Sequence, residues 1–271
     1  MIDTSATSYC EWSGLSYAEA GNGDRHMLLL HGWADTHAIW RLTAGEFARH
    51  WHLVMPDLPG HGETPLGGNA GMAAIAGVVG RFCDAHGIDT AVVVGHSMGG
   101  NIAVELALRR PDLVRQLVLV APATLGAALP ITRPAYHAGA LEWAALRMLF
   151  ASSRVLGRFG ELLRDDGPLP APMSLMRRAR HTRHHSLDSL PRLLGALLEN
   201  PIVERLGDLR VPTLVISGAF DTVVPVAHSR RVAAAIPGAR LVLIPGTMHH
   251  PMDEAPGAFS RALAGWLAES G

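Results

Sequence analysis

The sequence contains no lysine; all 23 of its basic residues are arginine, and no function is read from that bias. It has two cysteines, Cys10 and Cys83, too few for a disulfide framework or a cysteine-ligated zinc site, so a reducing interior is the expected surrounding. A formal net charge of -1 gives no reason to expect a nucleic-acid partner. No apolar run approaches the roughly 18 residues of a membrane-spanning helix. The start, "MIDTSATSYCEW", lacks the basic residues and apolar stretch of a signal peptide. These absences predict a soluble, cytoplasmic protein with no membrane partner. Its 271 residues suit one large domain, or one domain with an insertion, and can bury a substantial core.

Six short β-rich runs are present: "HMLLLHG", "HLVMPDL", "TAVVVGHS", "RQLVLVAPA", "PTLVISGAFD" and "ARLVLIPGT". Most are continuously apolar, as strands covered on both faces are. Helical patterns over Gly71–His86, Asn101–Arg110, Pro225–Ile236 and Ala255–Ala268 alternate with them. This alternation predicts an α/β fold, a mostly parallel sheet flanked by helices, with ligands collecting at the carboxyl ends of the strands. The pattern breaks between about 123 and 204, where no convincing strand is found and Pro-rich joints such as "DGPLPAPM" occur. Ahead of Glu204 that stretch holds ten arginines against six acids, +4 locally, which leaves -5 for the rest of the chain. The shift marks an insertion, read as a helical cap at 123–204 over a core formed by 1–122 and 205–271.

"VVVGHSMGGN" carries the chemistry. Gly95-His96-Ser97-Met98-Gly99 matches G-x-S-x-G, follows a strand and opens a helix, which is the context the motif needs. A sharp strand-to-helix turn requires small neighbours and leaves the serine hydroxyl at a helix N-terminus, where developing negative charge is favoured. Ser97 is therefore the candidate nucleophile. An oxyanion needs N–H donors: the backbone of Met98 supplies one, and Trp33, after the turn at Gly32 in "LLLHGWADTHAIW", supplies the other. His31 in that stretch is read as a structural histidine bonding loop backbone.

His31-Gly32-Trp33, Asp57-Leu58-Pro59-Gly60-His61-Gly62 and Gly95-His96-Ser97-Met98-Gly99-Gly100 together resemble the signature of the α/β-hydrolase superfamily. The resemblance runs from about 27 to 121 and again from about 211 to the end, and implies the α/β-hydrolase fold and a Ser-Asp-His order of partners. It implies a structural turn role for Asp57. Asp221, in "PTLVISGAFDTVVP", then falls at the position of the acid; Asp208 precedes that strand and lies at the other edge. "LVLIPGTMHHPMDEAP" is similar to the family's histidine loop, whose spacing implies His249 as the base and His250 as its neighbour before Pro251. A residue before proline is restricted to extended conformations, which agrees. Met248 stands where the family often has glycine, so the loop must turn without that glycine's freedom. Asp253 and Glu254 are read as caps of the terminal helix.

Gly32, His96 and His250 are further candidates for substrate contact. His181, His184 and His185 fall at helical spacing among arginines but without acidic ligands, so they are read as a solvated basic face and no metal is expected. "LLLHGWADTHAIW" also looks like the corresponding stretch of pimeloyl-carrier-protein methyl ester esterases, although His96 replaces the tryptophan common in that elbow. The resemblance implies a carrier-linked acyl group meeting the basic cap, where arginine can bind phosphate. The whole reads as a serine hydrolase of a small-molecule carboxylic ester, without cofactor. C–C bond, lactone or thioester cleavage by the same residues, and a non-hydrolytic receptor or biosynthetic catalyst, are the alternatives.

Overall fold

The computed structural model describes residues 7–124 and 188–270. Eight strands form one sheet: β1 (Ser8–Cys10), β2 (Leu15–Ala20), β3 (His26–Leu30), β4 (His52–Pro56), β5 (Ala91–His96), β6 (Val114–Val120), β7 (Thr213–Gly218) and β8 (Arg240–Ile244). Their spatial order is β1-β2-β4-β3-β5-β6-β7-β8. From β4 across to β8 every pairing is parallel, while β1 and β2 add an antiparallel edge. The six β-rich runs of the sequence are the six parallel strands. The edge pair is not evident from the sequence, because three residues of β1 and the mixed "LSYAEA" of β2 carry no strong apolar run.

The side chains of each parallel strand divide between two cores, as a period of two requires. Leu28 and Leu30 of β3, Val93 of β5 and Leu119 of β6 face one cluster; Met27, Leu29, Val92, Val94, Val118 and Val120 face the other. The first cluster is covered by α2 (Met72–Ala85), α3 (Met98–Arg109), α4 (Ser189–Leu198) and α5 (Val226–Ala235); the second by α1 (Arg41–Phe47) and α7 (Pro256–Ser270), with the short α6 (Pro251–Glu254) beside it. The inner strands are thus covered on both faces, which explains why they read as unbroken apolar runs.

The chain leaves β3 for β4 by way of α1 on one face, then crosses back to β5 by way of α2 on the other. The carboxyl ends of β3 and β5 therefore lie side by side at a reversal of strand order, where open α/β sheets leave a crevice. The flanks of segment 125–187 are held together near this edge. Ile202 N–H donates to the Thr124 carbonyl at 3.0 Å, and the Asn101 amide donates to the carbonyls of Ala123 and Asn200. The histidines at 181, 184 and 185, and most of the expected cap, lie outside the described residues. Among the described residues, no helix is long and apolar enough to cross a membrane.

His228 of α5 is buried, with Nε2 3.1 Å from Thr124 Oγ1, and burial lowers its pKa to about 4 from 6.5. A folded state that resists protonation binds fewer protons than the unfolded chain between those values, so stability falls as pH drops from 6.5 toward 4. A tenfold change in proton affinity is worth ~1.4 kcal/mol, so His228 alone accounts for about 3 kcal/mol of acid destabilisation. Urea unfolding of wild type and His228→Gln near pH 7 and near pH 4.5 should show the variant losing less stability by most of that amount. Parallel slopes would remove His228 as the cause.

Candidate active site

At the end of β5 the backbone turns through Ser97, whose φ of 52° and ψ of -114° are unusual for a residue with a side chain. Holding such a conformation costs on the order of 1–3 kcal/mol and requires surroundings that leave no alternative. The surroundings here are glycines. A Cβ on Gly95 would meet the Gly99 carbonyl carbon at 2.7 Å and Gly100 Cα at 2.8 Å; one on Gly99 would meet the Leu30 carbonyl carbon at 2.9 Å. Ser97 N–H donates to the Val120 carbonyl and the Ser97 carbonyl accepts from Ala123 N–H, so the turn is pinned to β6. Unlike its neighbours His96 and Met98, Ser97 keeps partial solvent exposure.

Helix α3 begins at Met98, three residues before the sequence pattern suggests, with Ser97 as the residue that precedes its first turn. The early N–H groups of a helix have no acceptor within it and point toward its N-terminal end. The loop after β3 comes within contact of the elbow: a Cβ on Gly32 would lie 2.8 Å from His96 Nδ1 and 3.1 Å from Ser97 Cβ. Trp33 follows directly, and its indole N–H donates to the Leu190 carbonyl at the start of α4 at 2.8 Å. Trp33 and Met98 are thus brought beside the Ser97 turn by two different elements.

Asp221 and His249 meet across β7 and β8. His249 Nδ1 is 2.7 Å from Asp221 Oδ2, both side chains being buried. Asp221 Oδ1 accepts from Val223 N–H and Val224 N–H, each at 2.9 Å, which fixes the carboxylate. A carboxylate can only accept, so Nδ1 carries the hydrogen and Nε2 of a neutral ring is left as the acceptor. His250 points elsewhere: its Nε2 is 3.1 Å from Asp35 Oδ2 on the loop after β3. His96 is 1% exposed, and its Nε2 donates to the His249 carbonyl at 3.0 Å, tying the elbow to the histidine loop. Burial, reinforced by the neighbouring His250 and His249 rings, keeps the His96 pKa well below its ordinary value.

Other polar residues near this edge are structural. His31 Nε2 accepts from Leu58 N–H, so its Nδ1 donates to the Gly32 carbonyl at 2.8 Å. Burial alone would raise the Asp57 pKa, but the His37 ring and backbone N–H on Oδ1 hold it below the ordinary value. Asp57 thereby secures the turn at His37–Trp40. Asp208 ends the segment before β7, at the opposite end of that strand.

A family model described as alpha/beta hydrolase fold matches residues 25–256. The chain belongs to that family. It is 32% identical, over 91% of its length, to the dihydrolipoyllysine-residue acetyltransferase component of an acetoin cleaving system from Cupriavidus necator, of which it spans 64%. It is 29% identical to the pimeloyl-[acyl-carrier protein] methyl ester esterase of Yersinia enterocolitica, covering 92% of this chain and 96% of that one. Among solved structures, a hydrolase from Pseudomonas aeruginosa PA01 superposes with a TM-score of 0.79 at 25% identity, covering 98% and 99% of the two chains.

Two details of this α/β-hydrolase differ from what its sequence suggests. The left-handed turn of the histidine loop is taken by Gly246, with φ of 72°, so Met248 needs no glycine-like conformation. Glu254 does not cap the terminal helix. Asp253 Oδ1 pairs with Arg41 at 2.8 Å, and Glu254 accepts from Met248 N–H at 2.6 Å and His250 N–H at 3.1 Å, clamping the loop that presents His249. Gly218, also unread in the sequence, allows the end of β7 to pass under that loop, because a Cβ there would collide with the carbonyls of Thr247 and Met248. Gly218→Ala should therefore shift His249 relative to Asp221 and lower kcat/KM by about 100-fold, the typical consequence of an ångström-scale misplacement. Steady-state kinetics beside a melting curve checks this; an unchanged kcat/KM in a folded variant would contradict the contact.

Proposed function

We propose that this chain is a serine hydrolase that cleaves a carboxylic ester through an acyl-enzyme. The observation that carries the reading is the 2.7 Å Asp221–His249 pair, buried at the same sheet edge as the strained Ser97 turn. His249 Nε2 takes the Ser97 proton, Ser97 Oγ attacks the acyl carbon, and Asp221 stabilises the imidazolium. The N–H groups of Trp33 and Met98 receive the oxyanion, each donor being worth about 2.7–4 kcal/mol in comparable sites. His249 then protonates the leaving alcohol, and a water activated by the same histidine releases the acid. These steps use only side chains and backbone of this chain, so they need no cofactor.

The substrate class we infer is an acyl ester, with a carrier-linked acyl group as its natural form. Ten arginines in the 123–204 stretch would meet an acidic carrier, and the relative from Yersinia enterocolitica, which the chain matches nearly end to end, is named for such a substrate. The acetyltransferase relative makes acyl transfer without hydrolysis the second reading. A panel of p-nitrophenyl esters of increasing acyl length, read for both phenolate and free acid, separates the two. Stoichiometric release of phenolate and acid is expected. Phenolate released only with a thiol acceptor would favour transfer. No turnover and no labelling by a serine-directed phosphonate would overturn both.

A further inference from the structure

Three buried side chains that take no part in the proposed reaction converge beside the nucleophile turn. Asp35 comes from the loop after β3, His96 from the end of β5 and His250 from the residue that opens α6. One ligand atom from each lies within 4.8 Å of the others, and the residues are 4%, 1% and 6% exposed. His250 Nε2 is 3.1 Å and His96 Nδ1 3.8 Å from the same oxygen, Asp35 Oδ2. Residues so far apart in the chain give no spacing signal, which is why the sequence suggests no metal site here.

The tautomer of His96 makes this cluster unusual. Its Nε2 lies 3.0 Å from the His249 carbonyl oxygen, which can only accept, so Nε2 carries the hydrogen, and in the neutral ring that full burial favours, Nδ1 holds the lone pair. That Nδ1 is buried and makes no hydrogen bond. It faces a carboxylate oxygen, so two acceptors confront each other in the interior. Such an arrangement is costly unless an electropositive group lies between them. Gly32 keeps the approach to Nδ1 clear of any side chain, since a Cβ there would stand 2.8 Å from it.

We propose that Asp35 Oδ2, His96 Nδ1 and His250 Nε2 bind a divalent ion of the zinc class. Imidazole and carboxylate donors suit such ions, and ligand bonds of about 2.0–2.2 Å arranged tetrahedrally put donor atoms about 3.4 Å apart. Two of the separations, 3.1 and 3.8 Å, already bracket that value. The third closes by small ring movements, and binding selects the His250 tautomer with its hydrogen on Nδ1. The site also has the outer partners that orient ligands: the His249 carbonyl on His96 Nε2 and Glu254 on the His250 backbone N–H. Asp35, His96 and His250 lie two, one and one residues from Trp33, Ser97 and His249. The ion would therefore join the three loops that carry the candidate catalytic groups. This inference does not depend on the ester reading.

The metal-free 271-residue chain, prepared by chelator dialysis, is titrated with Co²⁺ and followed by visible absorption, then with Zn²⁺ by calorimetry. One equivalent of either ion should bind, with zinc displacing cobalt and raising the melting temperature. Asp35→Asn and His250→Gln should each weaken the affinity by at least about 100-fold, whereas removing His181, His184 and His185 together should leave it intact. Wild-type crystals soaked in zinc should give an anomalous peak between the three side chains, a readout that does not depend on any variant folding. No stoichiometric binding, binding that survives Asp35→Asn and His250→Gln in folded protein, or a peak elsewhere would overturn the proposal.

Discussion

Ser97→Ala is expected to lower ester turnover by roughly 10⁴–10⁶-fold, the range seen when the nucleophile of a comparable triad is removed. The change deletes one oxygen at a turn that is otherwise fixed by Gly95, Gly99 and the bonds to Val120 and Ala123, so the loss would report chemistry and not folding. Alanine keeps a Cβ and therefore keeps the backbone strain at φ 52°. Ser97→Gly removes both the oxygen and the strain, and should be equally inactive yet more stable than wild type by about 1 kcal/mol. Denaturant unfolding of the two variants beside p-nitrophenyl ester kinetics tests both parts. Turnover retained to within tenfold in Ser97→Ala would remove Ser97 as nucleophile; a destabilised Ser97→Gly would mean the conformation is not strained.

What the sequence reveals of this molecule follows from how local each signal is. The inner parallel strands are visible because they are buried on both faces, and "VVVGHSMGG" is visible because the turn needs glycines at fixed offsets from Ser97. The fold family is legible from the elbow together with His31-Gly32-Trp33 and Asp57–Gly62, each a short local motif. The edge strands β1 and β2 carry no such demand. Asp221 and His249 are placed by order along the chain, but the 2.7 Å contact between them depends on β7 and β8 being neighbours, which no local pattern encodes. Gly218 shows the limit clearly: its lack of a side chain matters only because Met248, thirty residues later, lies over it. The Asp35–His96–His250 cluster is less legible still, since each member is an ordinary loop residue until three strand ends are side by side. Glu254 looks like a cap of the terminal helix in sequence and instead holds the histidine loop, because its carboxylate reaches back along the short helix α6 to the N–H groups of Met248 and His250.

His249→Ala should cost roughly 10⁴-fold or more in kcat/KM, while His250→Ala should cost far less, about tenfold to a hundredfold. The adjacent rings differ in what holds them. His249 Nδ1 is fixed by a carboxylate that two backbone N–H groups immobilise, which leaves Nε2 as the acceptor that the proposed mechanism uses. His250 spends its Nε2 on Asp35 and its backbone N–H on Glu254, so its removal loosens the loop without removing the proton acceptor. Asp221→Asn provides the internal check. It leaves the shape of the site but not the tautomer, and should reproduce a loss of about 10⁴-fold. If His250→Ala were instead the inactive variant and Asp221→Asn were nearly normal, the base would be His250 with Asp35 as its acid, and the two pairs of residues at this sheet edge would exchange roles.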